Sequence, residues 1–307
     1  STPLYSSAAS DVYKRQLYKN TTGIHNTATG LSSLWSNTTG NYNTANGFWA
    51  LTYNTTGSSN TSSGYKAMYA NTTGSNNTAI GEGALYSNTT GDNNTASGYQ
   101  ALYTATTEGS LTAIGYQAAK ANTTGTGTVA VGYQALTANT TGDYNSALGT
   151  YALTSNTTGN QNTSVGYQSL YVNTTGSYNT AMGYGALLYN TTGASNSAFG
   201  SYSLYNNTTG QYNTAMGYRA GYKNRTGSRN VFLGYQAGYN ETGSNKLYIA
   251  NGSGNSKRLI YGDFSSGNMT IGNGGGTINF TASAVNINGK AVATQEYVDS
   301  QVSSATV

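Results

Sequence analysis

The chain has no cysteine, one proline and one histidine in 307 residues, and only 7% of its residues are charged. Without cysteine there is neither a disulfide framework nor a thiolate metal site. The lone histidine, His25, leaves no material for an imidazole metal cluster or a histidine-based triad, so no metal and no cofactor is expected. No apolar run approaches the roughly 18 residues of a membrane-spanning helix, and no basic-then-apolar leader opens the sequence. The net charge of +4 is too small to imply nucleic acid. So little charge beside so much Asn, Thr and Gly would suggest disorder if the chain were aperiodic.

It is strictly periodic. Asn-Thr-Thr-Gly begins at Asn20, Asn37, Asn54, Asn71, Asn88, Asn122, Asn139, Asn156, Asn173, Asn190 and Asn207, always 17 residues apart except for one gap of twice 17 that a degenerate copy at Ala105 fills. Variants follow at Asn224 and Asn240. The consensus is N-T-T-G-x-x-N-T-A-x-G-Y-x-A-L-Y-x, and positions below are counted along it. A unit this short cannot bury a face alone, whereas stacked copies bury a continuous narrow core. The expected fold is therefore mainly β: a β-solenoid of 17-residue rungs over residues 20–243. N-T-A-x-G reads as the strand and the Gly after N-T-T as a turn. With rungs about 4.8 Å apart, thirteen of them make a rod of about 60 Å. Asn at the seventh position should stack as an amide ladder.

The second half of the rung, Y-x-A-L-Y-x, is ambiguous. Tyr167, Leu170 and Tyr171 have helical spacing, and alternation fits nearly as well. A single helical turn per rung, capped by the Gly of N-T-T-G, is the favoured expectation. The eleventh position is Gly throughout, as at Gly81, Gly98, Gly115, Gly132, Gly149, Gly166 and Gly183, which implies positive φ or a backbone approach with no room for Cβ. The interior is expected to hold the ninth-position Ala, this Gly, the fifteenth-position Leu and the tenth residue. The tenth drifts from Thr29, Asn46 and Ser63 to Val131, Leu148, Val165, Met182, Phe199, Met216 and Leu233, which implies an interior that improves toward the C-terminal end. So small a core barely offsets the entropy of ordering each rung, so self-association, as a parallel homotrimer, is expected to bury a second face.

Outside the repeat, residues 1–19 are read as a non-repeat segment that could be artefactual. Residues 244–290 alternate apolar and polar residues with Gly-rich turns, including Asn288-Gly289, and read as short strands. Residues 291–307 space Val298 and Val302 by four, as at the start of a helix or coiled coil.

These motifs resemble a known group. The repeat N-T-A-I-G-x-x-A-L-Y-S-N-T-T-G, followed by NKLYIANG, RLIYGDF and VNINGKAVATQEYVD, is similar to bacteriophage tail-fibre proteins of the type followed by a self-cleaving intramolecular chaperone domain. More loosely, TAIG at 78–81 and VAVG at 129–132 resemble the heads of trimeric autotransporter adhesins. The resemblance spans residues 20–299 and implies a homotrimer, attachment to a surface, and a place on a virion tail fibre or outside a cell. No chaperone domain or membrane-anchor barrel is recognisable, which suggests a fragment, a mature product or a member of another system.

Catalytic chemistry finds little support. A glycosidase needs two carboxylates about 5–9 Å apart, and the nine here occupy scattered phases, with Glu82 and Asp92 the nearest candidates. The expectation is a protein that is not an enzyme. A carbohydrate-active solenoid and an ice-binding solenoid are the alternatives; adjacent Thr72 and Thr73 would point to opposite faces, which counts against a flat hydroxyl array. The recurrent Asn-x-Thr sequons read as turns rather than glycan acceptors.

Two surface features suggest binding. Tyr65, Tyr99, Tyr116, Tyr133, Tyr167, Tyr184, Tyr218 and Tyr235 share one phase, and Tyr69, Tyr86, Tyr103 and Tyr171 share another. Such rings can hold sugars through their faces and hydroxyls. Seven cations lie from Arg219 to Arg258 against Glu241 alone. Tyr218, Tyr222, Arg225, Arg229, Tyr235 and Tyr239 are thus the candidate binding residues, for acidic cell-surface polysaccharide or lipopolysaccharide.

Overall fold

The computed structural model describes residues 15–272, together with the backbone of two short strands near residues 285–292. Thirteen three-residue strands, β1 (Thr27–Thr29) through β13 (Val231–Leu233), recur once per rung and pair in parallel with the same repeat positions opposite one another. Thr112, Ala113 and Ile114, for example, face Val129, Ala130 and Val131. β14 (Lys246–Ala250) continues the parallel sheet, and β15 (Arg258–Asp263) and β16 (Asn268–Ile271) close it as an antiparallel meander. β17 (Val285–Ile287) and β18 (Lys290–Val292) form a separate antiparallel pair. Val298 and Val302 lie outside the described residues.

The expected solenoid is observed, but the second half of the rung is not a helical turn. The thirteenth and fifteenth residues are left-handed, as at Gln134 (φ 50°) and Leu136 (φ 53°). The backbone zigzags, and its N–H groups reach the neighbouring rung: Leu136 donates to Ala152 at 2.9 Å and Ala138 to Thr154 at 3.0 Å. A helix would close those bonds within the rung. The sixth residue is left-handed too, as at Tyr144 (φ 55°). Ordinary side chains enter this region at a cost, and β-branched ones are outliers there. Accordingly, the chain places no Val, Ile or Thr at the sixth, thirteenth or fifteenth position of the rungs from Asn20 onward, although Thr abounds elsewhere in the repeat. That avoidance was the available signal for this geometry. Leu17 has φ 48°, its N–H donates to Ser33 and that of Lys19 to Trp35, so the end of the 1–19 segment repeats the pattern of Leu34 and Ser36.

The zigzag turns two consecutive residues inward. Ala135 and Leu136 are both buried, as are Ala152 and Leu153, so the fourteenth-position Ala joins Ala130 and Ala147 of the strands in the core. The tenth position belongs elsewhere. Ile80, Ile114, Leu148, Met182, Met216 and Leu233 are 41–48% exposed. Strand side chains alternate, and with the ninth residue inward the tenth must face out. The drift to apolar residues therefore alters the outer face of the sheet and leaves the interior unimproved.

Polar ladders fill the rest of the core. At the seventh position, Asn179 receives two bonds from Asn196 on its Oδ1 (backbone N–H 3.0 Å, amide 3.1 Å), and its own amide donates to Gly193 O. A second ladder runs through the first position: Asn173 donates to Asn156 Oδ1 at 2.8 Å and to Gly176 O at 2.9 Å. These asparagines are fully buried, so a glycan on the N-T-T sequons is incompatible with the stack. The fourth-position Gly is needed for space: a Cβ on Gly176 would lie 2.8 Å from Asn190 Nδ2 and closer still to Asn173 Oδ1. At the eleventh position both reasons for Gly operate. Gly132 has φ 140°, and a Cβ there would stand 2.5 Å from Gly149 O.

Near the C-terminal end the core exchanges volumes. Phe232 occupies the ninth-position column in place of Ala, while Gly221 and Gly238 stand where Leu is usual. A Cβ on Gly221 would meet the Phe232 ring at 2.5 Å, so the ring fills space that the leucines vacate. The ring offsets part of the side-chain volume that the two glycines remove, and a close-packed interior tolerates such exchanges best when volume is compensated.

Candidate functional site

The tyrosine columns of the twelfth and sixteenth positions run side by side, and the thirteenth position lies between them. Its left-handed backbone lifts that side chain out of the rung. Tyr99, Tyr116 and Tyr133 stack at 5.2 and 5.0 Å, and Tyr69, Tyr86 and Tyr103 at 5.3 and 4.9 Å. Between the columns Gln134 donates to Gln117 at 3.0 Å and Gln117 to Gln100 at 3.3 Å. Where the twelfth residue is small, at Thr150 and Ser201, the next is Tyr. Tyr151 then touches Tyr133, Tyr167 and Tyr171, and Tyr202 touches Tyr184, Tyr205 and Tyr218. The two phases read from the sequence lie on one face, with an amide ladder between them from Gln100 to Gln134; the sixteenth-position column is interrupted at Lys120, Thr137, Thr154 and Leu188.

Both ends of this face carry cations. At the C-terminal end Tyr218 stacks on Tyr235 at 5.6 Å and Tyr222 on Tyr239 at 5.0 Å. The Arg219 guanidinium lies 5.0 Å from the Tyr218 ring and 5.4 Å from Tyr222, and Lys223 Nζ is 5.4 Å from Tyr239. Four of the candidate residues are thus brought together, joined by Arg219. Arg225 and Arg229 occupy the second and sixth positions, outside the aromatic columns, and Arg229 rests 5.8 Å from Tyr212, itself a sixth-position residue. Lys246 pairs with Asp263 at 2.6 Å, and Arg258 lies over Tyr248 and Tyr261. The cations are distributed around the rod rather than gathered in one collar.

Sequence reasoning missed the other end. Arg15, Tyr18, Ser32, Trp35, Trp49, Thr52, Tyr53 and Tyr69 line a cleft of about 630 Å³, within the range of small-ligand sites. Lys19 Nζ is 4.4 Å from the Trp35 ring and Lys66 Nζ is 4.9 Å from Trp49. Both Trp residues of the chain are here, and that clustering was the available signal. A smaller groove of about 140 Å³ follows, between Tyr65, Lys66, Glu82, Gly83, Tyr86, Gln100 and Tyr103.

Crowding shifts the phenols. A hydrogen bond to Tyr53, then burial, pushes Tyr69 up to about 12. Burial, then a hydrogen bond to Tyr189, pushes Tyr205 up to about 12. Tyr151 and Tyr202 are also raised, chiefly by burial. Neutral rings carrying hydroxyls suit the faces and edges of sugars.

The candidate carboxylate pair is not brought together. Glu82 lines the smaller groove, while Asp92 accepts the Ser75 N–H at 2.6 Å at the fifth position, in another column. Asp143 does the same for Thr126 at 2.8 Å. His25 stacks on Tyr42 at 5.1 Å. Among the described residues there is no group of three metal-ligating side chains, and no helix is long and apolar enough to cross a membrane. No protein-family model, curated protein or solved structure matches the chain.

Proposed function

We propose that the chain is a non-enzymatic fibre segment, a rigid shaft that attaches to a cell surface by holding glycans along its aromatic face. One observation carries this reading: exposed tyrosines recur along the rod, with an amide ladder from Gln100 to Gln134 between them and cations against the rings at both ends. Ring faces contact the apolar side of sugars, the Gln and Tyr edges bond hydroxyls, and the cations favour acidic sugars or lipid-linked phosphate. The partners are then acidic cell-surface polysaccharide or lipopolysaccharide, together with further copies of the chain as a homotrimer. The place is a virion tail fibre or another extracellular surface.

The test is binding to acidic polysaccharides and lipopolysaccharide by titration. Trp49→Ala, and separately Tyr222→Ala with Tyr239→Ala, should each weaken binding about tenfold, a difference of about 1.4 kcal/mol. Arg219→Ser should flatten its salt dependence. Arg225→Ser with Arg229→Ser should leave it nearly intact, and a loss there would restore the basic collar as the site. Full affinity in the aromatic variants would refute the face.

A further inference from the structure

The outer face of the sheet precedes the aromatic columns along each rung, with the eleventh-position Gly between the tenth residue and the twelfth-position Tyr. It is made by the eighth and tenth residues of every strand. Across β1–β13 these positions hold Thr, Ser, Asn, Val, Ile, Leu, Met and Phe, and not one charged residue. The face is graded along the rod. It begins with Thr29, Asn46 and Ser63, and is apolar at the tenth position from Ile80 onward except at Ser97. Toward the C-terminal end the eighth position turns apolar as well. Val231 pairs with Leu247 and Leu233 with Ile249; Ile249 pairs with Ile260 and Ile260 with Ile271, while Met269 lies opposite Gly262. Directly paired residues share a face, so the stripe crosses from solenoid to meander without a break.

From β4 to β16 the stripe measures about 58 Å by about 10 Å, a plane of roughly 600 Å². Single exposed apolar residues need no explanation, but contiguous patches of several hundred Å² mark interaction sites. A stable interface takes about 800 Å² from each partner, which this face and its flanking residues can supply.

We propose that this face is where copies of the chain pack on one another, side by side and parallel. The grading selects the occupant. In a parallel arrangement Leu148 meets Leu148 and Asn46 meets Asn46, so apolar rungs face apolar rungs. An antiparallel arrangement would press the polar first rungs against the apolar last ones. The charge-free strand positions allow like to face like without repulsion. The inference rests on the expectation that the chain self-associates in parallel, and adds the face on which it does so.

The chain has no cysteine, so one can be introduced without background. Protein carrying Ile114→Cys should be joined to a second copy by a short bis-maleimide in a parallel assembly, whereas an antiparallel pair centred on the stripe would hold the two thiols apart, because β6 lies four strands from its middle. Gln117→Cys, on the aromatic face, should react far less. By light scattering the parent should exceed the single-chain mass of 31.8 kDa. Leu148→Asp with Met182→Asp should reduce it to one chain with unchanged circular dichroism, while Gln117→Asp with Gln134→Asp stays assembled. A monomeric parent would overturn self-association and face together. An assembled parent in which Ile114→Cys does not cross-link, or in which folded Leu148→Asp with Met182→Asp stays assembled, would overturn the face alone.

Discussion

Leu153 is the plainest example of how a single residue serves this fold. It is fully buried, yet its backbone is left-handed (φ 54°), so its side chain must fill the core without branching at Cβ. Leu153→Met roughly keeps volume and leaves Cβ unbranched, and should cost less than about 1.5 kcal/mol. Leu153→Val removes only one carbon but puts a β-branched residue at positive φ, and should cost about 2–3 kcal/mol. Equilibrium denaturation of both variants checks the order, and equal costs would contradict the account. A second coupling explains the degenerate copy. The first-position Asn needs the fourth-position Gly, and where Glu108 replaces that Gly, Ala105 replaces the Asn. The ladder breaks there: Asn88 Oδ1 is buried without a partner, and Asn122 donates to Gly125 O but to no asparagine below it. Ala105→Asn alone should destabilise, since the Glu108 Cβ occupies the space its amide needs. Combined with Glu108→Gly it should exceed the parent by about 1 kcal/mol, because a buried acceptor gains its donor. Additive behaviour in the double-mutant cycle would contradict the coupling.

At the scale of the rung, the strand was legible and its complement was not. Period, alternation about the ninth-position Ala and the eleventh-position Gly locate N-T-A-x-G, and all thirteen strands fall there. The seventh-position ladder was legible from the recurrence of Asn, while the first-position ladder was hidden because N-T-T-G also reads as a turn. Y-x-A-L-Y satisfied helical and strand periods alike. The actual backbone obeys neither, so Ala135 and Leu136 both turn inward and the neighbouring Tyr and Gln turn out. The error at the tenth position had a different source, since apolar character was equated with burial. Hydrogen bonding and burial of two phenols give a pH dependence at this scale. Tyr69 and Tyr205 are raised to about 12 in the folded rod, against about 10 in an unfolded chain. Their contribution is fully present below about pH 10 and is lost as pH rises through about 12, because the unfolded chain gives up these protons first. Melting temperature should therefore fall across that window, while absorbance at alkaline pH shows part of the tyrosine ionising only with unfolding. Stability that is flat to pH 12 would count against the hydrogen-bonded, crowded phenols.

The whole molecule follows from one repeated operation. Each rung advances the chain by one strand spacing, offers an uncharged sheet on one side and an aromatic surface on another, and closes its core with asparagine amides. The rod is what makes both proposed surfaces long, and so its geometry is the claim on which the rest depends. The most direct test is the distance between pairs of spin labels in the third-position threonine column. Labels would be placed at Thr73 with Thr141, Thr175 or Thr209, which are four, six and eight rungs apart, with each labelled chain diluted in unlabelled protein. The account predicts separations of about 19, 29 and 38 Å, a linear rise of about 4.8 Å per rung. Distances that do not increase linearly with rung number, or a Thr73–Thr209 separation shorter than Thr73–Thr175, would contradict it.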